Sequence, residues 1–321
     1  MADGQQPGYA APSEAGGPEM TTDTSIAGTL RTLMTNLIDY AGLFPPAGLT
    51  MRQAVANYEE YLNERSSWML GKFVLPVSRL DEFETSAKEF FGTKIIQRPW
   101  QLTALGGEDP DADFDKVRKF NKDNHPRVRI DTFEIKATQP GEIDNVMALL
   151  PQAMNAYFEI PITSDPSPLI SSIEEYGARA KVRTGGVTRD SFPTSQNLVR
   201  FLSACMKADV AFKATAGLHH PIRASYKLTY DEKSDTGMMY GFLNVFLAAA
   251  FLKKGMAVET ARELLEERSS GAFQFHDEHV EWRKQKVTAN DLAQIRSHSA
   301  IAFGSCSFHE PIEGLHTLHY L

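Results

Sequence analysis

Short apolar runs alternate with amphipathic stretches from Leu33 onward, and this alternation constrains the fold more than any other feature of the chain. The apolar runs have the length of strands, and the stretches between them have the pattern of helices that cover a sheet. Repeated strand and helix units favour an α/β fold with a parallel sheet, and eight such units close into a (β/α)8 TIM barrel. A chain of 321 residues, 42% of them hydrophobic, is long enough for one such barrel.

Eight strands are predicted, and helices are predicted between them. The strands are Asn36–Ala41, Lys72–Val77, Ile95–Leu105, Val128–Ala137, Tyr157–Ile162, Ala178–Arg183, Val210–Thr215 and Ala300–Phe303. The helices run from the N-cap Thr50 to Ser66, over Leu80–Phe91, from the acidic cap Asp109–Asp113 to Asn124, over Pro140–Leu150, near Ser171 and over Ser195–Lys207.

Two segments fall outside these units. Residues 1–28 are rich in Gly, Pro, Ala, Ser and Gln, which predicts a disordered tail before a barrel over residues 29–321. Residues 219–298 exceed what one unit needs, so we interpret them as a helical and loop insertion before the last strand and as a candidate lid.

Composition narrows the range of partners. The net charge is −8, and no basic stretch with interleaved aromatic residues is present, so nucleic acid is excluded. The longest apolar run, Gly241–Leu252, is too short for a membrane span and predicts a buried helix. Two distant cysteines, Cys205 and Cys306, and the lack of a secretory signal pattern predict a cytoplasmic protein. We expect a small-molecule substrate. The sequence leaves open whether the protein is a monomer or a homo-oligomer.

Charged residues alternate with apolar residues in four consecutive predicted strands, the fourth to the seventh. Alternate side chains of a strand face opposite sides, and the apolar side should meet the helices. The charged side then faces the barrel interior near the C-terminal ends of the strands, where barrel active sites lie. Buried charges are costly unless they pair or bind something, so the pattern predicts either an active site or a structural ion-pair network. The inward-facing charged residues are Glu134, Lys136, Glu159, Lys181, Arg183 and Lys213.

Two lysines with an arginine between them indicate Schiff-base chemistry. Burial and a neighbouring cation both favour a neutral amine, which can attack a carbonyl carbon. The resulting Schiff base is an electron sink for breaking or making a neighbouring C–C bond, so we predict an aldolase-like lyase that needs no cofactor. Lys181 and Lys213 are the candidate amines, and Glu134 or Glu159 would move protons.

Glycines follow three of the predicted strands. Thr184-Gly185-Gly186, Gly217 and Gly304-Ser305 would let backbone N–H groups approach an anion, although turn glycines would give the same pattern. We therefore expect an anionic or phosphorylated carbonyl substrate.

Three strand-end motifs resemble those of the deoxyribose-phosphate aldolase type of class I aldolase. They are Lys181-Val182-Arg183-Thr184-Gly185-Gly186, Lys213-Ala214-Thr215-Ala216-Gly217 and Phe303-Gly304-Ser305-Cys306-Ser307. The resemblance implies that Lys181 forms the Schiff base, that Lys213 lowers its pKa and that Ser305 helps to hold a phosphate. The chain departs from the family at strand four, where Glu134 or Lys136 stands in place of an aspartate, and at Arg183, which replaces a small residue. The Lys181–Gly186 motif, paired with Gly217–Pro221, is also similar to a bacterial TIM-barrel family without an assigned activity.

Other polar residues near the strand ends leave two alternatives open. His219 and His220 follow strand seven, and one of them is expected to face the site as an acid, a base or a metal ligand. A metal-dependent lyase would use Glu134, Glu159 and one of these histidines, whereas a catalytically silent barrel would only bind an anionic metabolite. Asp39 at the end of strand one is expected to join the site, and Cys306 is interpreted as a small buried residue rather than a nucleophile.

Overall fold

Eight parallel strands form a closed barrel in the computed structural model, which describes residues 26–91 and 99–321. The barrel strands are β1 (Ile38–Tyr40), β2 (Leu70–Pro76), β3 (Trp100–Leu105), β4 (Val128–Lys136), β5 (Asn155–Glu159), β6 (Arg179–Arg183), β7 (Phe212–Thr215) and β13 (Ala300–Ser305). The remaining strands form a hairpin, β8 (Ala224–Lys227) and β9 (Thr236–Met239), and a sheet of β10 (Phe273–Phe275), β11 (His279–Trp282) and β12 (Gln285–Thr288). Around the barrel the order is β1-β13-β7-β6-β5-β4-β3-β2, which confirms the (β/α)8 TIM barrel.

Helices surround the barrel. They are α1 (Gly28–Met34), α2 (Met51–Asn63), α3 (Leu80–Phe91), α4 (Pro110–Asn124), α5 (Pro140–Leu149), α6 (Ser167–Glu175), α7 (Ser195–Lys207), α8 (Phe242–Lys253), α9 (Val258–Leu265), α10 (Ala289–His298) and α11 (His309–Thr317). The side chain of Thr50 accepts a hydrogen bond from the backbone of Gln53 and so caps α2 as predicted.

Apolar strand residues meet the helices, as the alternation predicts. Phe133 of β4 packs against Phe114 of α4, and Phe212 of β7 stacks on Phe246 of α8. The residues between them on each strand therefore face the barrel interior. The charged side chains of β4, β5, β6 and β7 therefore lie together in the barrel interior.

The N-terminal end of the barrel is closed by α1 and α10, which the sequence analysis did not assign to this role. The buried guanidinium of Arg296 in α10 donates hydrogen bonds to the carbonyl oxygens of Leu33 and Thr35 beside β1 and of Ala300 and Ile301 in β13. The predicted tail, residues 1–28, lies outside the described residues except for its last three, of which Gly28 begins α1.

The segments of the predicted insertion, residues 219–298, lie in different places around the barrel. Helix α8 is buried on all sides, as the apolar run predicted, and Phe242 stacks on Phe303 of β13 within the outer layer of the barrel. The β10–β12 sheet lies near α1, where the backbone N–H of Thr29 donates to the carbonyl of His276. The start of the segment at His219 and the β8–β9 hairpin both reach the open end of the barrel, and the hairpin is the candidate lid. Within the described ranges, no helix has the length and apolarity to cross a membrane.

Candidate active site

Six side chains of alternating charge form a connected chain inside the barrel. Lys213 Nζ donates to Asp39 Oδ2 at 2.6 Å and also to Glu134 Oε1. The other oxygen of this carboxylate, Glu134 Oε2, lies 2.7 Å from Lys181 Nζ. Lys181 Nζ also lies 2.9 Å from Glu159 Oε2, and Arg183 Nε lies 3.5 Å from Glu159 Oε1. Each carboxylate except that of Asp39 therefore bridges two cations.

Strand register explains why these residues meet. Glu159 of β5 is the register partner of Lys181 of β6, and Lys181 is the register partner of Lys213 of β7. All three therefore face the barrel interior side by side and form one charged layer. Glu134 of β4, the strand beside β5, and Asp39 of β1, two strands from β7, complete this layer.

Ion pairing fixes the charges of Lys213 and Glu134. Burial alone would lower the pKa of Lys213, but Asp39 and Glu134 outweigh it and hold that pKa above the ordinary value. Burial would raise the pKa of Glu134, but Lys181 and Lys213 outweigh it and hold that pKa below the ordinary value. Lys213 therefore remains an ammonium ion and Glu134 a carboxylate at neutral pH.

A cavity of about 940 Å³ opens above this layer at the C-terminal ends of the strands. Its volume is that of a small-molecule site. The charged side chains that line it are Glu108, Glu134, Lys136, Glu142, Glu159, Lys181, Arg183 and Lys213. Gly186, His219 and Gly304 also line it, so nine of the predicted site residues share this cavity.

Other predicted site residues support the cavity instead of lining it. Asp39 lies behind Lys213 and also accepts a hydrogen bond from the backbone N–H of Lys72. The buried Thr184 hydroxyl donates to the carbonyl oxygen of Ala216 at 2.6 Å. Ser305 is 1% exposed, and its hydroxyl accepts a hydrogen bond from the backbone N–H of Ser307. The predicted phosphate contact of Ser305 would therefore need this buried hydroxyl to become accessible.

Two left-handed residues direct the chain after β7 toward the cavity. Ala216 has a φ of 61° and Gly217 a φ of 74°. A Cβ atom on Gly217 would lie 2.9 Å from Cα of Gly185, so the loops after β6 and β7 pack against each other only with glycine there. This turn places His219 at the edge of the cavity.

His219 is held by a cluster of residues from three other segments. Its Nδ1 lies 3.0 Å from Glu310 Oε2, 3.4 Å from Ser305 Oγ and 4.0 Å from Cys306 Sγ. Tyr230, between β8 and β9, donates its hydroxyl to the same oxygen of Glu310 at 3.0 Å. Burial lowers the pKa of His219, but the contacts with Cys306 and Glu310 outweigh it and raise that pKa to about 9. The imidazole is therefore protonated at neutral pH.

His220 has a different environment from His219. Its ring stacks on Tyr226 with the centroids 3.6 Å apart. Burial and the charge on His219 lower the pKa of His220 to about 4, so its ring is neutral at neutral pH. Of the two adjacent histidines, only His219 lines the large cavity.

The sequence analysis did not identify Glu310 and Tyr230 as members of the site. Glu310 lies in the first turn of α11, shortly after the Gly304–Ser307 segment. This proximity in the sequence was the only feature that could have identified Glu310 as a site residue. No sequence feature could have identified Tyr230, because its contact with Glu310 depends on the path of the β8–β9 hairpin. Cys306 is 6% exposed and buried as expected, yet it also lines the large cavity.

No group of three or more His, Cys, Asp or Glu side chains is arranged to hold a metal ion in the part of the chain that the structure describes. Glu134 and Glu159, the expected metal ligands, are instead ion-paired with Lys181. No protein-family model, curated protein or solved structure matches this chain.

Proposed function

We propose that this protein is a Schiff-base-forming carbon–carbon lyase of the aldolase type, acting on a small anionic carbonyl compound with Lys181 as its nucleophile. One observation carries the proposal. The amine of Lys181 lies at the base of an open cavity between two carboxylates, and one of these carboxylates also binds the ammonium group of Lys213.

The environments of the two lysines support Lys181 over Lys213 as the nucleophile. The side chain of Lys213 is 3% exposed and lies between Asp39 and Glu134, which retain its proton. The side chain of Lys181 is 8% exposed, and its partner Glu159 is 13% exposed at the cavity, whereas Glu134, which both lysines share, is 2% exposed. A proton can therefore leave Lys181 through Glu159 toward the substrate.

The reaction then follows from the positions of the groups. Lys181 transfers a proton to Glu159, and its neutral amine adds to the substrate carbonyl to give a carbinolamine. Glu159 returns the proton to the carbinolamine oxygen, which leaves as water as the iminium ion forms. The iminium accepts the electron pair of the breaking C–C bond and becomes an enamine, while the other fragment loses its hydroxyl proton and leaves as an aldehyde. Protonation of the enamine and addition of water to the resulting iminium then release the ketone and the amine of Lys181. Lys213 keeps Glu134 ionised throughout, so Glu134 stabilises the iminium cation.

Two cationic side chains at the rim of the large cavity support the proposal that the substrate is anionic. The side chain of Arg183 is 53% exposed and lines the cavity two residues beyond Lys181 on the same strand. Lys136 is exposed at the end of β4, where it is the register partner of Glu159. An arginine fork binds carboxylate or phosphate oxygens in a bidentate manner, so we assign the anion contact to Arg183 with help from Lys136.

Borohydride trapping tests the proposal directly. The protein is incubated with pyruvate, glyceraldehyde 3-phosphate or acetaldehyde, reduced with borohydride and digested for peptide mass spectrometry. We expect a reduced adduct on Lys181 that is lost in Lys181→Ala and retained in Lys119→Ala, whose side chain is 78% exposed on the surface. An adduct on Lys119 or Lys213 instead of Lys181, or no adduct with any carbonyl compound, would overturn the proposal.

A catalytically silent barrel that binds an anionic metabolite is the second candidate. The observation that favours it is that both buried lysines are ion-paired, and such pairs stabilise the ammonium form. Phosphate or pyruvate would then bind reversibly, and borohydride would leave no adduct. The trapping experiment therefore separates the two candidates.

We also propose that the protein works in the cytoplasm on a small molecule. Cys205 and Cys306 are both free thiols and both buried, which fits a reducing compartment. Fractionation of cells that express the tagged full-length chain tests this location.

A further inference from the structure

A second, smaller chamber of about 290 Å³ adjoins the large cavity. It lies between the barrel mouth and the β8–β9 hairpin, which contributes Tyr226, Leu228 and Met239 to its wall. The two spaces share Gly186, Ala216 and His219 in their linings. We call this smaller space the aromatic chamber.

The chemical character of the aromatic chamber contrasts with the charged lining of the large cavity. Tyr226 and His220 form a stacked aromatic pair on one wall, and the buried side chains of Leu228 and Met239 add apolar surface. Its three charged residues are already partnered: Lys227 Nζ donates to the carbonyl of Glu232, and the imidazolium of His219 and the carboxylate of Glu310 bind each other within the wall. A space of this kind favours an apolar ligand over an anion.

The size of the aromatic chamber limits its occupant. A cavity of about 150 Å³ already accommodates benzene. The chamber volume of about 290 Å³ therefore holds a single aromatic ring with its substituents. Since His219 lines both spaces, a substrate that extends from Lys181 into the aromatic chamber must pass this imidazole.

We propose that the aromatic chamber binds the aldehyde half of an aldol substrate and that this half carries an aromatic ring or an apolar group of similar size. The inference rests on the proposed function, in which the anionic ketone half is held on Lys181 in the large cavity. His219 then lies between the two halves, beside the bond that breaks.

The assignment gives His219 a defined step. Its Nδ1 bonds to Glu310, which leaves Nε2 for the substrate hydroxyl on the carbon β to the iminium carbon. In cleavage, neutral His219 takes the hydroxyl proton, and the O–H electron pair forms the C=O bond of the aldehyde. The bond between the α and β carbons breaks, and its electron pair converts the iminium into the enamine. In the addition direction the imidazolium returns the proton to the alkoxide.

Binding of 4-fluorobenzyl alcohol, followed by fluorine NMR, tests the aromatic chamber without catalysis. We expect the probe to bind the wild-type protein and Lys181→Ala alike, because the chamber does not contain Lys181. Tyr226→Ala should weaken binding about tenfold through loss of the ring contact, whereas Tyr226→Phe keeps the ring and should bind within about twofold of wild type. Equal affinity in Tyr226→Ala and Tyr226→Phe would overturn the inference.

Aldehyde selectivity provides the second measurement. With pyruvate as donor, kcat/KM for benzaldehyde should exceed that for acetaldehyde, and Tyr226→Ala should lower the ratio of the benzaldehyde value to the acetaldehyde value by about tenfold. A preference for acetaldehyde in the wild-type protein would contradict the inference. Probe binding without any borohydride adduct on Lys181 would overturn the proposed function and leave the ligand class of the chamber standing.

Discussion

Lys181 and Lys213 are register partners on adjacent parallel strands. Two buried ammonium groups at this separation repel each other, and the carboxylate of Glu134 between them compensates the repulsion by binding one with each oxygen. Glu134 is therefore required by both lysines at once, although it lies on a strand that neighbours neither of them.

Replacement of Glu134 by Gln should destabilise the protein strongly. The substitution keeps the shape but leaves two buried ammonium groups with less compensation, which costs about 3–5 kcal/mol for a broken buried pair. Urea unfolding at pH 7 measures the change. Glu89→Gln is the matched control, because Glu89 is 52% exposed and 3.7 Å from Arg52. A loss of less than about 1 kcal/mol in Glu134→Gln would show that the pairing contributes little.

Replacement of Arg183 by Ala should raise KM for anionic substrates and leave kcat within about threefold, because a rim contact stabilises the bound substrate and the transition state alike. Loss of a charged hydrogen bond predicts a KM increase of about 10-fold to 100-fold. Steady-state kinetics with pyruvate and with neutral acetone would measure the split. An equal increase for both compounds would argue against an anion contact at Arg183.

The stability of the protein should depend on pH through His219. The folded-state pKa of about 9 lies above the ordinary value of 6.5, so folding favours the protonated form. This stabilisation is complete below pH 6.5, is lost as the pH rises through about 9, and is on the order of 3 kcal/mol. The groups that face the ring are Ser305, Cys306, Glu310, Tyr230 and His220. Urea unfolding from pH 6 to 10 should show this loss in the wild-type protein and not in His219→Gln.

The rate should depend on pH in the same way for the two directions of the reaction. Cleavage and addition pass through one transition state that is reached from the free enzyme with neutral His219, so kcat/KM for both should rise with pH and level off above about 9. Glu310→Gln removes a carboxylate that raises the pKa of His219 and should move both profiles to lower pH. An unchanged pH dependence of kcat/KM in His219→Gln would show that His219 takes no part in the reaction.

Thiol reagents should distinguish the two cysteines. Cys306 lines the large cavity, whereas Cys205 is fully buried and burial raises the pKa of its thiol. Iodoacetamide should therefore label Cys306 and spare Cys205 in the native protein, and pyruvate should slow the labelling. Peptide mass spectrometry measures the labelling of both cysteines. Equal labelling rates would show that Cys306 is no more accessible than the buried Cys205.

Periodicity alone was sufficient to predict most of the fold. Helices α3 and α7 lie where the sequence placed them, and strands β4 and β6 agree within a residue at each end. The short strands of the hairpin and of the β10–β12 sheet were missed, because three or four residues are too few to show alternation. Helix α8 was assigned to an insertion, because its all-round apolar surface gives no sign of which layer it belongs to.

The layer of charge in the barrel could also be predicted, because strand alternation fixes which side chains share a face. The pairing within it could not be predicted. Glu134 reaches Lys213 across the barrel through a separation of 79 residues, and Tyr230 meets Glu310 through a separation of 80 residues. Contacts of this kind depend on barrel curvature and loop path, which leave no local pattern in a single sequence.

The β8–β9 hairpin enters the chain between β7 and the buried helix α8, and it contributes no strand to the barrel. Changes in its length or side chains can therefore leave the ion-paired layer and Lys181 untouched. Ligand preference in a chain built this way can diverge by exchange of one loop, and residues 224–239 could be exchanged as a cassette that keeps Tyr230 for its contact with Glu310.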